Sequence, residues 1–130
     1  MQDSNKIIKV LYVEDDKEEV KIMRDHFKRS KFQFEVDFRC SALSLKNIDY
    51  SSTDIIVLDY FLDEERVASN FLHFVKKDPK TSMIPVILFT GMESPILKNN
   101  VEKYEKTCFL SKDKGPETLI SKITSALELA

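Results

Sequence analysis

The amino-acid sequence predicts an α/β domain, a (βα)5 doubly wound five-stranded parallel sheet set between helical layers in a three-layer sandwich. Three observations predict it. The stretch Asp54-Ile55-Ile56-Val57-Leu58-Asp59 places four consecutive apolar residues between two acids, with neither helical period nor polar alternation. A short run of this kind suits a strand buried on both faces, as at the centre of a parallel sheet. Comparable runs recur at Val10-Leu11-Tyr12-Val13 and Val86-Ile87-Leu88-Phe89. Segments with apolar residues at helical spacing separate them, and alternating strands and helices give a parallel sheet with right-handed crossovers.

Each element is justified by its own residues. Lys6 to Val13, rich in β-branched and aromatic residues, is the first strand and runs straight into Glu14-Asp15-Asp16. The first helix follows, with Val20, Met23 and Phe27 giving one apolar face and acids in its first turn favouring the helix dipole. Phe32 to Phe38 alternates Phe32, Phe34, Val36 and Phe38 with polar neighbours, which predicts a second, less buried strand. Ala42, Leu45 and Ile48 mark a short second helix over Ala42 to Ile48.

Asp54 to Asp59 is the third strand. Asn70 to Lys77 is then a helix with Phe71, Leu72, Phe74 and Val75 inward, ending before Asp78-Pro79. Pro85 opens the fourth strand, which Thr90-Gly91 terminates. Ser94-Pro95 is an N-cap and N1 pair for a short polar fourth helix. Thr107 to Leu110 is the fifth strand, ended by Ser111-Lys112-Asp113. Gly115-Pro116-Glu117 starts the last helix, with Leu119, Ile120, Ile123 and Leu127 on one face.

At 130 residues the chain predicts one domain, with a core spanning about residues 6–128. The net charge of -2, without a basic tail, predicts no direct nucleic-acid binding. No apolar run is long enough to insert in a membrane. Cys40 and Cys108 are too few and too scattered for a disulfide framework, which points to a reducing, cytoplasmic compartment. His26 and His73 lack metal-ligand spacing and read as surface or packing residues.

The chemistry gathers at the strand ends. In an open α/β sheet, ligands bind beyond the carboxyl ends of the strands. Glu14 and Asp15 follow the first strand, Asp59 closes the third, Thr90 the fourth, and Lys112 follows the fifth. Three clustered carboxylates raise one another's pKa unless they share a cation. Oxygen-only ligands suit Mg²⁺, and a hydroxyl and an ammonium opposite can receive phosphoryl oxygens. The reaction so equipped is attack by a carboxylate on phosphorus, giving an aspartyl phosphate.

Val10-Leu11-Tyr12-Val13-Glu14-Asp15-Asp16, Asp54 to Asp59, Pro85 to Gly91 and Phe109-Leu110-Ser111-Lys112 resemble the signature blocks of two-component response-regulator receiver domains, the CheY-like superfamily. The resemblance covers the chain from Lys6 to the last helix and implies the flavodoxin-like receiver topology. It implies that Asp59 is the phosphoacceptor, taking its phosphoryl group from a sensor histidine kinase, a histidine phosphotransfer protein or a small donor. It further implies that Asp15 binds Mg²⁺ directly, Glu14 through water, and Asp59 and the Phe61 backbone carbonyl complete the protein ligands. Thr90 would bond a phosphoryl oxygen and move toward it, Lys112 would pair with the phosphate, and Gly91 would leave its approach open. Phe109 stands at the aromatic switch position. The kinase would dock on the first helix, and the fourth helix, fifth strand and fifth helix would form the output face.

The sequence departs from that pattern in places. The loop from Tyr60 to Val67 lacks the usual proline and glycine and is about one residue longer; its Asp63-Glu64-Glu65 run reads as solvated loop. Asp113 stands where the family has a proline, so a cis bond there would cost several kcal/mol. Phe109 has no hydroxyl, so any switch works by ring packing. Phe61 and Met92 flank the path of an attacking water, and neither side chain can orient one. The aspartyl phosphate is therefore expected to hydrolyse slowly, and a phosphorylated lifetime of only seconds in Mg²⁺, read by intact mass, contradicts this.

No output domain is evident, so signalling through contacts with a downstream protein is expected. The alternatives are a phosphorylation-independent pseudo-receiver adaptor and the receiver portion of a longer regulator. A phosphohydrolase with an aspartyl nucleophile would place a second acid where Phe61 stands. A flavin or nucleotide carrier lacks support, because Gly91 and Gly115 are the only glycines and make no phosphate loop.

Overall fold

The computed structural model describes residues 6–39, 50–59, 72–91 and 95–127. The strands are β1 (Ile7–Val13), β2 (Gln33–Arg39), β3 (Ile55–Asp59), β4 (Val86–Thr90) and β5 (Thr107–Ser111). The helices are α1 (Lys17–Arg29), a helical stretch over residues 72–77 (α2), α3 (Pro95–Glu102) and α4 (Gly115–Ala126). All strand pairs are parallel, and the sheet order is β2-β1-β3-β4-β5. This is the doubly wound order, whose direction of winding reverses between β1 and β3 and opens a crevice at their carboxyl ends.

Two apolar layers cover the sheet. Ile8, Val10, Tyr12, Ile55, Val57, Ile87 and Phe89 point to one face and pack with Met23 and Phe27 of α1 and Leu119 and Ile123 of α4. Leu11, Val13, Ile56, Leu58, Val86 and Leu88 point to the other and pack with Leu72 and Val75 of α2. The period-2 alternation of Cβ directions makes this division automatic in β1, β3 and β4. The stretch Ile55 to Leu58 of β3 needs no polar residue because it is covered on both sides: Ile55, Ile56 and Val57 are fully buried. β2, on the sheet edge, has no fully buried residue and keeps the alternation expected of it.

Boundaries shift in ways the hydrogen bonds explain. Asp54 stands outside β3, because its Oδ2 accepts the Lys9 N–H at 2.8 Å. Phe32 precedes β2, where its N–H donates to Ser30 Oγ at 3.2 Å just past α1. Phe74 does not face inward. It is 51% exposed, whereas Leu72 and Val75 carry the packing, because one helical face admits only positions three or four apart. The turn after α2 is tied by buried Thr81, whose Oγ1 donates to the Val75 carbonyl at 2.6 Å.

The expected helix over Ala42 to Ile48, Cys40, Phe71, Ser94 and the whole loop with Phe61 and Asp63-Glu64-Glu65 lie outside the described residues, as does Met92. Among the described residues no helix is long and apolar enough to cross a membrane. Cys108 sits half-buried in β5, where burial pushes its thiol up and disfavours the thiolate.

Candidate functional site

The carboxyl edge of the sheet brings the expected residues into one row. β1 and β3 are in register at Val13 and Leu58, so Glu14 and Asp59 are the next residues on adjacent strands. Asp59 pairs with Phe89, whose successor Thr90 pairs with Ser111, the residue before Lys112. The backbone of Asp59 thus stands between the β1 acids and Thr90; its side chain lies outside the described part.

Glu14 is held by its surroundings from three directions. Its N–H donates to the Arg39 carbonyl at 2.8 Å, anchoring the end of β1 against β2. Its Oε2 accepts the Asp16 N–H at 3.2 Å, and its Oε1 lies 3.3 Å from Lys112 Nζ. The Glu14 side chain has no exposed surface, and a carboxylate removed from water is tolerated only with a paired charge. Lys112 supplies it. Asp15, the next residue, is exposed, which makes it the accessible carboxylate of the β1 end.

Asp16 is committed elsewhere. It is the N-cap of α1, and its Oδ1 accepts from the Glu18 N–H at 2.9 Å and the Glu19 N–H at 3.4 Å. That bond satisfies donors the helix leaves orphaned and fixes the orientation of its first turn. The third acid of Glu14-Asp15-Asp16 is therefore a structural cap.

Lys112 opens a 3-10 turn, Lys112–Lys114, that leads into α4. Ser111 caps this turn, its Oγ accepting the Asp113 N–H at 3.2 Å. Every peptide bond among the described residues is trans, so the chain passes Asp113 without the family's cis bond. Gly115, at φ 86, makes the left-handed step that joins the turn to α4. The Lys112 ammonium reaches back over β4, 6.0 Å from the centroid of the Phe89 ring, and pairs with Glu14 and Glu19.

Thr90 is fully buried at the end of β4. Phe109 pairs with Leu88, two residues before Thr90, and packs against the α2-side core. Thr90 and Phe109 are therefore diagonal neighbours on adjacent strands. Among the described residues, a Cβ added at Gly91 would meet nothing within 4 Å. His26 and His73 stand outside this row; His73 Nδ1 lies 3.3 Å from the Tyr104 hydroxyl, and His26 Nδ1 3.4 Å from Arg29.

Glu19 is the participant that sequence reasoning missed. As an acid in the first turn of a helix it has a sufficient explanation in the helix dipole. The signal that could have found it is its distance from Asp16: three residues past the N-cap, one turn up, on the side that faces the strand ends. Burial acts to raise the Glu19 carboxyl, but hydrogen bonds with Glu14 and Lys112 and the Lys112 charge together hold it below the ordinary glutamate value.

The donor set fits a hard divalent cation in chemistry. Glu14, Asp15 and Asp59 offer only oxygen, and one lysine faces a surplus of acids. Among the described residues no group of three His, Cys, Asp or Glu side chains stands close enough to hold a metal ion.

No protein-family model matches the sequence, and no curated protein matches it. Solved structures do match. The Mn²⁺-bound form of response regulator Rcp1 superposes with a TM-score of 0.71 at 21% identity, over 91% of this chain and 90% of that one. The phosphorylated cyanobacterial phytochrome response regulator RcpA gives 0.74 at 19% identity, over 92% and 91%. The BeF3-activated DrrB receiver domain gives 0.73 at 19%, over 95% and 99%. The chain has the flavodoxin-like fold of response-regulator receiver domains along nearly its whole length.

Proposed function

We propose that the chain is a receiver-type signalling switch that accepts a phosphoryl group on Asp59. The observation that supports it most is the row formed at one sheet edge by Glu14, Asp15, the Asp59 backbone, Thr90 and Lys112. That this row coincides with the crevice where doubly wound sheets bind ligands adds to its weight. Two proteins of the same fold, described as Mn²⁺-bound and as phosphorylated, support the same chemistry.

In this reading an Asp59 carboxylate oxygen attacks the phosphorus of a phosphohistidine or acyl phosphate. The bond from phosphorus to the donor breaks, and the histidine or carboxylate leaves. Asp15 and Asp59 would hold Mg²⁺ directly, with the Phe61 carbonyl, and Glu14 through water; bound there, the ion neutralises the phosphoryl oxygens and the acids around them. Lys112 and the Thr90 hydroxyl take the remaining oxygens, and Phe109 repacks as Thr90 moves. The chain acts on itself and has no other substrate. Its partners are a sensor histidine kinase or histidine phosphotransfer protein and a downstream protein, met in the cytoplasm.

Intact mass after incubation with acetyl phosphate tests the proposal. One added phosphoryl group is expected for the wild type with Mg²⁺, and none for Asp59→Asn or after chelation of the metal. No adduct, followed by no binding of beryllofluoride with Mg²⁺, would favour a phosphorylation-independent adaptor.

A further inference from the structure

Among the described residues Lys112 pairs with two carboxylates, and one of them stands away from the strand-end row. Glu14 supplies the first. The second is Glu19, one turn into α1, in direct ion contact with the same ammonium. The Lys112 side chain is 18% exposed and that of Glu19 35%, so their attraction is screened less than that of a surface pair. The Asp16 cap fixes the turn that carries Glu19, so this contact does not depend on a freely moving segment.

We propose that Glu19 is a positioning residue that holds Lys112 toward α1 in the unphosphorylated state and gives it up to the phosphoryl group when Asp59 is modified. This rests on the phosphoacceptor reading of the site. A phosphoryl group carries more charge than a carboxylate and offers three acceptor oxygens, so it competes for the ammonium. Glu14, buried and with no exposed surface, keeps its claim on Lys112 in both states; half-exposed Glu19 can turn to water when it loses the contact. Glu19 therefore stabilises the unmodified state more than the modified one, and only such a differential contact shifts an equilibrium. The exchange also couples phosphorylation to the first turn of α1.

The test is the rate of phosphorylation by acetyl phosphate with Mg²⁺, read by intact mass. It uses the wild type, Glu19→Gln, Glu18→Gln and Lys112→Ala, the last with and without Glu19→Gln. Glu19→Gln keeps the side-chain length and removes the charge; a rate increase of about two- to five-fold is expected, the size of a partly exposed ion pair. Glu18→Gln removes the same charge one residue earlier and should leave the rate unchanged. In the Lys112→Ala background Glu19→Gln should have no effect, because neighbours that act through one contact are not additive.

Equal rates for wild type and Glu19→Gln overturn the proposal. So does an acceleration that Glu18→Gln reproduces or that survives without Lys112, since both would mean a general charge effect. A wild type that takes neither a phosphoryl group nor beryllofluoride overturns the phosphoacceptor reading itself, a result distinct from the others. Far-UV circular dichroism confirms that each variant is folded.

Discussion

Truncating Lys112 to alanine lowers the unfolding free energy of the unmodified protein by about 3 kcal/mol. The reason is what the substitution leaves behind. Glu14 has no exposed side-chain surface, and the truncation removes the charge that faces its Oε1 while the Asp16 N–H remains on Oε2. Removing one member of a buried pair costs about 3–5 kcal/mol because the other is stranded. The lower end applies here because Lys112 itself is 18% exposed, so water can enter where it stood. Glu14→Gln combined with Lys112→Ala should recover part of the loss. Urea unfolding followed by circular dichroism measures both. A loss under about 0.5 kcal/mol for Lys112→Ala, the range of an ordinary surface change, contradicts this account of Glu14.

Ile56→Ala has the second large effect, about 4 kcal/mol of stability. Ile56 is fully buried in β3, between Leu11 on β1 and Val86 on β4, and its side chain packs against the α2 layer. The truncation opens a cavity bounded by two neighbouring strands and a helix layer, which cannot collapse without moving the sheet. Ile7→Ala is the control. Ile7 is 46% exposed at the start of β1, and its truncation should cost under about 1 kcal/mol. Similar losses for the two variants would show that β3 is not the core of the sheet.

The fold was legible because its central strands are monotonous. Val10 to Val13, Ile55 to Leu58 and Val86 to Phe89 carry almost no polar residue, and only a strand covered on both faces can do that. That the strand ends share one edge followed from the same reading, since parallel strands end together; the lateral order β2-β1-β3-β4-β5 did not, because apolar runs do not say which strands are neighbours. Less legible was what depends on which way a helix turns. Phe74 belongs to an apolar cluster in sequence, yet only Leu72 and Val75 fall on the inward stripe. Glu19 and Asp16 look alike as acids near a helix start, but one caps the backbone and the other reaches Lys112. The loop after Lys112 was undetermined because a missing proline says what the chain does not do. The capped 3-10 turn it forms instead depends on Ser111 and Gly115 acting together.

The central claim is that Asp59 carries the phosphoryl group, and locating the modified residue tests it most directly. Protein treated with acetyl phosphate and Mg²⁺ is reduced with borohydride, which converts an aspartyl phosphate to homoserine, and its peptides are sequenced by mass spectrometry. The account predicts homoserine at position 59 and at no other aspartate. Homoserine at Asp15 or Asp63, with Asp59 intact, would contradict it.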